Sequence, residues 1–139
     1  MFDPKLKEAL GRVQKPGRYT GGEPGSVYKD KEKVDVRFAF CFPDTYEIGM
    51  SNLGMRILYG IMNNMEGVWC ERVFAPWGDM EEEMRRAHMP LFALESGEPI
   101  TDFDIVAFSV GYEMAFTSIL NMLDLADIPL HSADRTGLT

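Results

Sequence analysis

The chain has 139 residues and a formal net charge of -8, with 45% hydrophobic and 26% charged residues. This length and composition are typical of a single globular domain. Its acidity argues against nucleic-acid binding and anionic-membrane binding, because both need clustered Lys and Arg. No apolar stretch reaches the roughly 20 residues of a membrane span, and the amino terminus lacks the layout of a secretory signal. We therefore expect a cytoplasmic protein that binds neither nucleic acid nor membrane.

The first part of the chain, residues 1–33, predicts an extension that wraps on the main domain. Pro and Gly interrupt regular structure in it repeatedly. A short helix is expected from Pro4 to Val13, and a short strand at residues 26–28. The domain itself is expected over residues 34–139.

Three segments of this domain have the pattern of buried strands. The first begins half exposed and becomes apolar on both faces toward its carboxyl end, which is typical of a central parallel strand. Each of the three is followed by a helical pattern, so the sequence predicts three β-α units with parallel strands. The predicted strands are Val34 to Phe42, Val68 to Phe74 and Asp104 to Val110.

The predicted helices differ in character. The first opens at Ser51 and Asn52, and its apolar residues recur at helical spacing, which predicts a buried stripe. The second, from Asp79 to about His88, is charged and solvated, with expected i,i+4 ion pairs. The third lies between the last strand and Ile128. The buried stripe is expected to contain Leu53, Ile57, Leu58, Ile61, Met62 and Met65, and the ion pairs are Glu81 with Arg85 and Glu82 with Arg86.

The fold class that follows is α/β, a Rossmann-like or flavodoxin-like three-layer parallel sheet with strand order 2-1-3. The sheet is incomplete, because three parallel strands leave the last one as an exposed edge. We expect that the chain is a piece of a longer domain or that a partner covers this edge. The open edge also predicts a homodimer.

The loop after the first strand is the expected ligand site. Parallel strands deliver their carboxyl ends to one edge of the sheet, where loops and helix starts bind ligands. This loop carries Asp44, Tyr46 and Gly49. Cys41 and Cys70 lie inside predicted strands and are expected to be buried, unreactive thiols. No residue pattern predicts a catalytic group or a metal site.

The spacing of Asp44, Tyr46 and Gly49 resembles the Asp-x-His-x-x-Gly motif of cobalamin-binding domains, with Tyr46 at the position of the histidine ligand. The whole run from Phe42 to Gly54 is similar to the amino-terminal region of cobalamin-binding-domain radical SAM proteins. Three further segments look like the same family. They are Arg18 to Glu23, Phe108 to Glu113 and His131 to Arg135.

This resemblance implies an accessory domain that holds cobalamin or a substrate, while the reaction occurs on a separate radical SAM barrel with an iron-sulfur cluster and S-adenosylmethionine. The barrel motif Cys-x-x-x-Cys-x-x-Cys is absent here, so this chain alone is expected to be catalytically silent and the barrel of the parent chain is its expected partner. Ser109 matches the serine of a Ser-x-Leu element, with Gly111 at the leucine. The implied cofactor contacts are Asp44, Thr45, Tyr46, Gly49, Ser51, Asn52, Ser109 and Gly111.

Two other hypotheses remain open at this stage. The chain could be a degenerate Rossmann-like module that has lost corrin and serves in docking or dimerisation. In that case Asp44 would order a turn and Tyr46 would pack on the sheet. A flavodoxin-like flavin or phosphate binder has the right geometry, but Gly49 and Gly54 are weak evidence for a phosphate loop.

Overall fold

The computed structural model describes residues 3–136 and contains one sheet of three parallel strands. These are β1 (Val36–Phe42), β2 (Val68–Phe74) and β3 (Ile105–Phe108), in the order β2-β1-β3. Along β1, Val36 lies opposite Val68, and Phe38 lies opposite Ile105. The predicted fold class and strand order are confirmed. β2 has the predicted bounds, whereas β1 and β3 are each shorter than expected.

Within residues 3–136, five α-helices connect and cover these strands. They are α1 (Pro4–Leu10), α2 (Tyr46–Ser51), α3 (Leu53–Asn63), α4 (Gly78–Ala87) and α5 (Ala115–Leu125). The loop after β1 is shorter than predicted, because helical structure already begins at Tyr46. Asn52 then separates two helices and caps the second one, since its Oδ1 accepts from the backbone N–H of Met55 at 2.9 Å.

The helices form layers on both faces of the sheet. On one face, α1, α4 and α5 pack on β1 and β2 around fully buried side chains such as Leu6, Met84 and Met122. On the other face, α3 packs Met55 and Tyr59 against Phe40 and Cys70. The connection from β2 to β3 crosses over β1 with α4 on the opposite side from α3, as expected of a doubly wound fold.

The two outer strands differ in how their free edges are covered. Leu94 donates its N–H to the carbonyl of Arg72 at 2.8 Å, and the carboxylate of Glu95 accepts from the Arg72 N–H at 2.7 Å, so a loop covers the edge of β2. Within residues 3–136, β3 pairs only with β1. Its outer edge is therefore open in the part of the chain that the structure describes.

Three local predictions are wrong. Residues 26–28 form no strand. Instead, Val27 donates its N–H to the Tyr59 hydroxyl at 2.7 Å and accepts from the Trp69 indole at 3.0 Å. Arg86 pairs with Glu83 rather than Glu82, whereas the pair between Glu81 and Arg85 forms at 3.0 Å.

The third error concerns the apolar stripe of α3, which points mostly outward. Leu53 is 67% exposed and Ile61 is 55% exposed, and only Met62 of the predicted stripe is partly buried against the core. The sheet instead receives Met55 and Tyr59, which lie on the other side of the same helix. Among residues 3–136, no helix is both long enough and apolar enough to cross a membrane.

Candidate functional site

A crevice of about 240 Å³ lies at the carboxyl ends of β1 and β3. The strand order reverses between these two strands, because the chain leaves β1 toward β2 and later returns on the other side of β1. Ligands of open α/β sheets bind at such a reversal. The crevice is lined by Phe42, Pro43, Asp44, Ile48, Asn52, Ser109, Gly111, Tyr112 and Ala115.

Asp44 is held rigidly at the centre of this edge. Its backbone N–H donates to the carbonyl of Phe42 at 2.8 Å, and its carbonyl accepts from the N–H of Ala75 at 3.0 Å. Its Oδ1 accepts from the N–H of Thr45 at 2.7 Å, so the carboxylate also orders the turn. Asp44 also lines a second cavity of about 460 Å³, together with Thr45 and Trp77. It therefore forms a wall between two cavities.

Asn52 and Ser109 add polar groups from two other elements. Asn52 reaches the crevice from the start of α3, and its amide nitrogen donates to no group within residues 3–136. The Ser109 N–H donates to the carbonyl of Cys41 at 2.9 Å, which extends β3 alongside β1 by one residue. Its hydroxyl makes no hydrogen bond with the described part of the chain. The crevice thus offers one carboxylate, one amide and one hydroxyl above an apolar floor.

Tyr46 lies outside the crevice. Its hydroxyl donates to Glu23 Oε1 at 2.6 Å, and its ring packs edge-on against Phe74 with centroids 5.5 Å apart. Burial, together with the neighbouring Glu23 carboxylate, raises the pKa of Tyr46 to about 12. The side chain is therefore a protonated phenol that ties α2 to the amino-terminal extension.

Gly49 and Ser51 serve local packing in α2. A Cβ on Gly49 would lie 2.2 Å from Phe74 Cε1, so only glycine allows α2 to approach β2 this closely. The Ser51 hydroxyl donates to the carbonyl of Glu47 one turn earlier. Neither residue lines the crevice. Four of the predicted contacts therefore lie together at the crevice: Asp44, Asn52, Ser109 and Gly111. Thr45 lies next to them in the second cavity. The other three, Tyr46, Gly49 and Ser51, lie elsewhere.

Comparison with protein-family models identifies the chain. Residues 54–138 match the model described as radical SAM proteins, N-terminal. The chain belongs to this family. Searches of curated proteins and of solved structures found no match. The matched region of this radical SAM N-terminal domain includes Ser109 and Gly111 but begins after the segment from Asp44 to Asn52.

The residues of this radical SAM N-terminal domain fit the corrin that the sequence resemblance implies only in part. Position 46, where a histidine would bind the cobalt, does not suit this role. The Tyr46 hydroxyl donates a hydrogen bond to Glu23 and lies away from the crevice. The Phe74 ring occupies the space beside the Gly49 Cα, and Gly49 does not line the crevice. The crevice itself, with Asp44, Asn52 and Ser109, remains a cavity with free polar groups.

A buried ionic network behind Tyr46 is the main feature that sequence reasoning missed. The guanidinium of Arg72 donates to Glu95 at 2.6 Å, to Glu23 at 2.9 Å and to Ser26 at 2.8 Å. The Arg72 side chain is 7% exposed and that of Glu95 is fully buried. The available signal was the pair of charged residues at 71 and 72 inside a strand predicted to be buried, since such charges need partners.

A second network lies at the amino ends of the strands. Arg37 donates to Glu71 at 2.6 Å and also to Glu98, and its guanidinium lies 4.2 Å from the ring centroid of Phe103. Ser96 donates its N–H to Glu71 at 2.9 Å, which ties the loop after α4 to β2. These contacts hold the amino ends of the sheet and lie away from the crevice at its carboxyl ends.

The second network predicts loss of stability in acid. The hydrogen bond from Lys31 lowers the pKa of Glu98 below its usual 4.5, and Arg37 adds to this effect. A carboxylate with a lowered pKa stabilises the folded state above its unfolded pKa, and this contribution is lost as the pH falls through the folded pKa. We expect the free energy of unfolding to fall below about pH 4.5, and Glu98→Gln to reduce that fall.

Urea titrations at neutral pH and at about pH 3 would measure the difference. Glu82→Gln is the matched control, because Glu82 is exposed and makes no ion pair within residues 3–136. An acid-induced loss of the same size in Glu98→Gln and the unsubstituted protein would contradict the assignment.

The two cysteines lie in the core, as predicted. Both thiols are free and buried, and burial raises the pKa of Cys70 to about 12. Burial raises the pKa of Cys41 as well. Since the thiolate is the reactive form, these thiols are unreactive near neutral pH. Within the described residues, no three His, Cys, Asp or Glu side chains are grouped as metal ligands.

Proposed function

We propose that this radical SAM N-terminal domain holds a ligand in the crevice between β1 and β3, and that the reaction occurs on the radical SAM barrel of the parent protein. The barrel would supply the iron-sulfur cluster and S-adenosylmethionine. The observation that carries this proposal is the convergence of Asp44, Asn52 and Ser109 at the point where the strand order reverses. The site holds a ligand and supplies no catalytic group.

The chemistry of the crevice favours a ligand part that combines hydroxyl groups with a flat apolar ring. Asp44 can accept hydrogen bonds from hydroxyl groups, while Asn52 can donate and Ser109 can do both. Phe42, Ile48 and Tyr112 line the remaining surface, which suits a ring. The crevice has a volume of about 240 Å³, which is enough for part of a ligand, and a second cavity of about 460 Å³ lies on the other side of Asp44.

Cobalamin meets this description through its nucleotide tail, which carries a ribose and a benzimidazole ring. We propose that, if the parent protein uses cobalamin, the tail enters the crevice and the cobalt receives no ligand from position 46. In this arrangement Ser109 lines the cavity for the tail, as the sequence resemblance implied, and Tyr46 and Gly49 make no contact with the tail.

A titration with hydroxocobalamin and with cobinamide, which lacks the tail, tests this proposal. We expect saturable calorimetric binding of hydroxocobalamin and at least about tenfold weaker binding of cobinamide, equivalent to about 1.4 kcal/mol. Ser109→Trp should block the crevice and weaken hydroxocobalamin binding by a similar factor. Ser132→Trp is the control, because Ser132 is exposed and lines neither cavity.

Tyr46→His separates tail binding from cobalt ligation. We expect the visible spectrum of bound hydroxocobalamin to be the same in this variant, because position 46 faces Glu23. Equal binding of cobinamide and hydroxocobalamin would contradict a tail site. A spectrum changed by the histidine would contradict our orientation of position 46.

The second candidate function is a docking module that binds no corrin. It is favoured by the internal use of Tyr46 and Gly49, and by the large apolar side chains exposed around β3 and α5, of which Met114 is 78% exposed. Absence of hydroxocobalamin binding, with folding retained, would favour this function over the first.

A further inference from the structure

A groove of about 600 Å³ runs along one side of α3, between this helix and residues 24–27. It shares no lining residue with the crevice between β1 and β3. Its volume lies in the range of small-molecule sites. The exposed side chains of Leu53 and Ile57 form an apolar part of its wall. The groove is therefore a second cavity of ligand size, separate from the crevice.

The charge of this groove is opposite in sign to that of the chain. Two arginines, Arg56 and Arg72, line it, and within residues 3–136 no Asp or Glu lines it. The whole chain, by contrast, has 22 acidic and 14 basic residues. Arg56 is exposed and takes part in no ion pair of the described part of the chain.

The two arginines lie beside the same aromatic ring. The Arg72 guanidinium is 5.0 Å from the ring centroid of Tyr59. Arg56 precedes Tyr59 by three residues on α3, and residues at this spacing are neighbours on the surface of a helix. One anionic group in the groove can therefore be close to both cations.

Arg72 is a buried cation with an incomplete set of acceptors. Its Nε donates to Glu95, and its Nη2 donates to Glu23 and Ser26. Within residues 3–136, its Nη1 donates only to the sulfur of Met50, at 3.1 Å, and a thioether sulfur is a weak acceptor. Arg72 is 6% exposed, and Met50 lines the groove with it. An oxygen acceptor for Nη1 can reach it from the groove.

We propose that this groove binds a monocarboxylate with an apolar body. The carboxylate accepts from Arg72 Nη1 in place of the Met50 sulfur, and Arg56 supplies a second positive charge. Hydrogen bonds between a guanidinium and a carboxylate are stronger than those between neutral groups. The apolar body lies against Leu53 and Ile57, where it is removed from water. This proposal is independent of corrin binding and of the crevice.

The charges around the groove favour a single negative charge on the ligand. Three cations and two carboxylates of residues 3–136 line the groove or form hydrogen bonds with a residue that lines it. One positive charge is left, so a monoanion neutralises it, whereas a phosphate monoester carries about -1.5 to -2. The five groups are Arg56, Arg72, Lys29, Glu23 and Glu95.

Calorimetric titration of the purified chain with octanoate tests this proposal. We expect saturable binding of octanoate and at least about tenfold weaker binding of octanamide, which has the same apolar chain without the charge. Octyl phosphate should also bind more weakly than octanoate. Absence of octanoate binding would overturn the proposal. Equal binding of octanamide would do so as well, because the apolar wall alone would then account for it. Tighter binding of octyl phosphate would refute the choice of a monoanion.

Arg56→Glu tests whether octanoate binds in the groove. Folding should survive because Arg56 is exposed, and we expect octanoate to bind at least about tenfold more weakly. Arg86→Glu is the matched control, since it makes the same charge change at an exposed residue of α4 that does not line the groove. It should leave octanoate binding unchanged, and an equal loss in the two variants would contradict the proposal.

Gly60→Leu tests the groove without a change of charge. Gly60 lines the groove, and a Cβ built on it would meet nothing within 4 Å, so the larger side chain has room to enter. We expect this variant to fold and to bind octanoate at least about tenfold more weakly. Unchanged binding of octanoate in both Gly60→Leu and Arg56→Glu would place the carboxylate elsewhere and overturn the proposal.

Discussion

Replacement of Glu95 by leucine is expected to lower the free energy of unfolding by about 3 to 5 kcal/mol. The Glu95 carboxylate accepts from the Arg72 guanidinium at 2.6 Å, from the Arg72 backbone N–H at 2.7 Å and from the Tyr59 hydroxyl at 3.0 Å. Leucine would leave these buried donors without that acceptor. Arg72 would keep its ion pair with Glu23 at 2.9 Å but lose its fully buried partner, and the cost of these unsatisfied buried donors exceeds what the added apolar contact recovers.

Urea unfolding followed by tryptophan fluorescence would measure this loss. Glu82→Leu makes the same chemical change at an exposed residue and should alter the free energy by about 0.5 kcal/mol or less. Combining Glu95→Leu with Arg72→Met removes both charges, and we expect the double variant to recover part of the loss. Equal stability of Glu95→Leu and Glu82→Leu would show that the network does not stabilise the fold.

The second large effect is expected at Gly49. Replacement by alanine should cost about 1 to 3 kcal/mol, because overpacking forces neighbouring atoms to move. The new Cβ would lie 2.2 Å from one atom of the Phe74 ring and 3.2 Å from the Phe42 ring. Displacing Phe74 would also disturb its contact with Tyr46, whose ring centroid lies 5.5 Å away.

Gly78→Ala is the matched control, because a Cβ there meets nothing within 4 Å at the first residue of α4. We expect that change to be neutral or slightly stabilising. Phe74→Leu should reduce the additional cost of Gly49→Ala, since a smaller side chain gives the new methyl group room. If Gly49→Ala and Gly78→Ala unfold at the same urea concentration, the close approach of α2 to β2 does not constrain this position.

Features that depend on neighbouring residues were predictable. β2 forms over the predicted residues 68–74, because a short run rich in β-branched and aromatic residues, bounded by glycine and a turn, needs no distant information to be a strand. The parallel order follows from three strands that alternate with helices. The crevice also follows from this topology, since Asp44 and Ser109 end two strands that become neighbours.

Features that depend on distant residues were not predictable in the same way. α3 carries apolar residues on more than one side, so its periodicity could not show whether Met55 or Ile57 would face the sheet. Within β2, Arg72 is paired with Glu23 and Glu95, and Glu71 is paired with Arg37, each more than 20 residues away in sequence. No local pattern connects them.

The sequence by itself therefore determined the α/β class, the strand order and the edge of the sheet at which a site could form. Only the tertiary structure decided which of the predicted contacts meet there. Tyr46 has the spacing of a ligand to cobalt, but its direction is set by Glu23 and Phe74, which reach it from the extension and from β2. The spacing of a motif constrains positions along the chain, whereas the direction of a side chain depends on the partners that the fold brings to it.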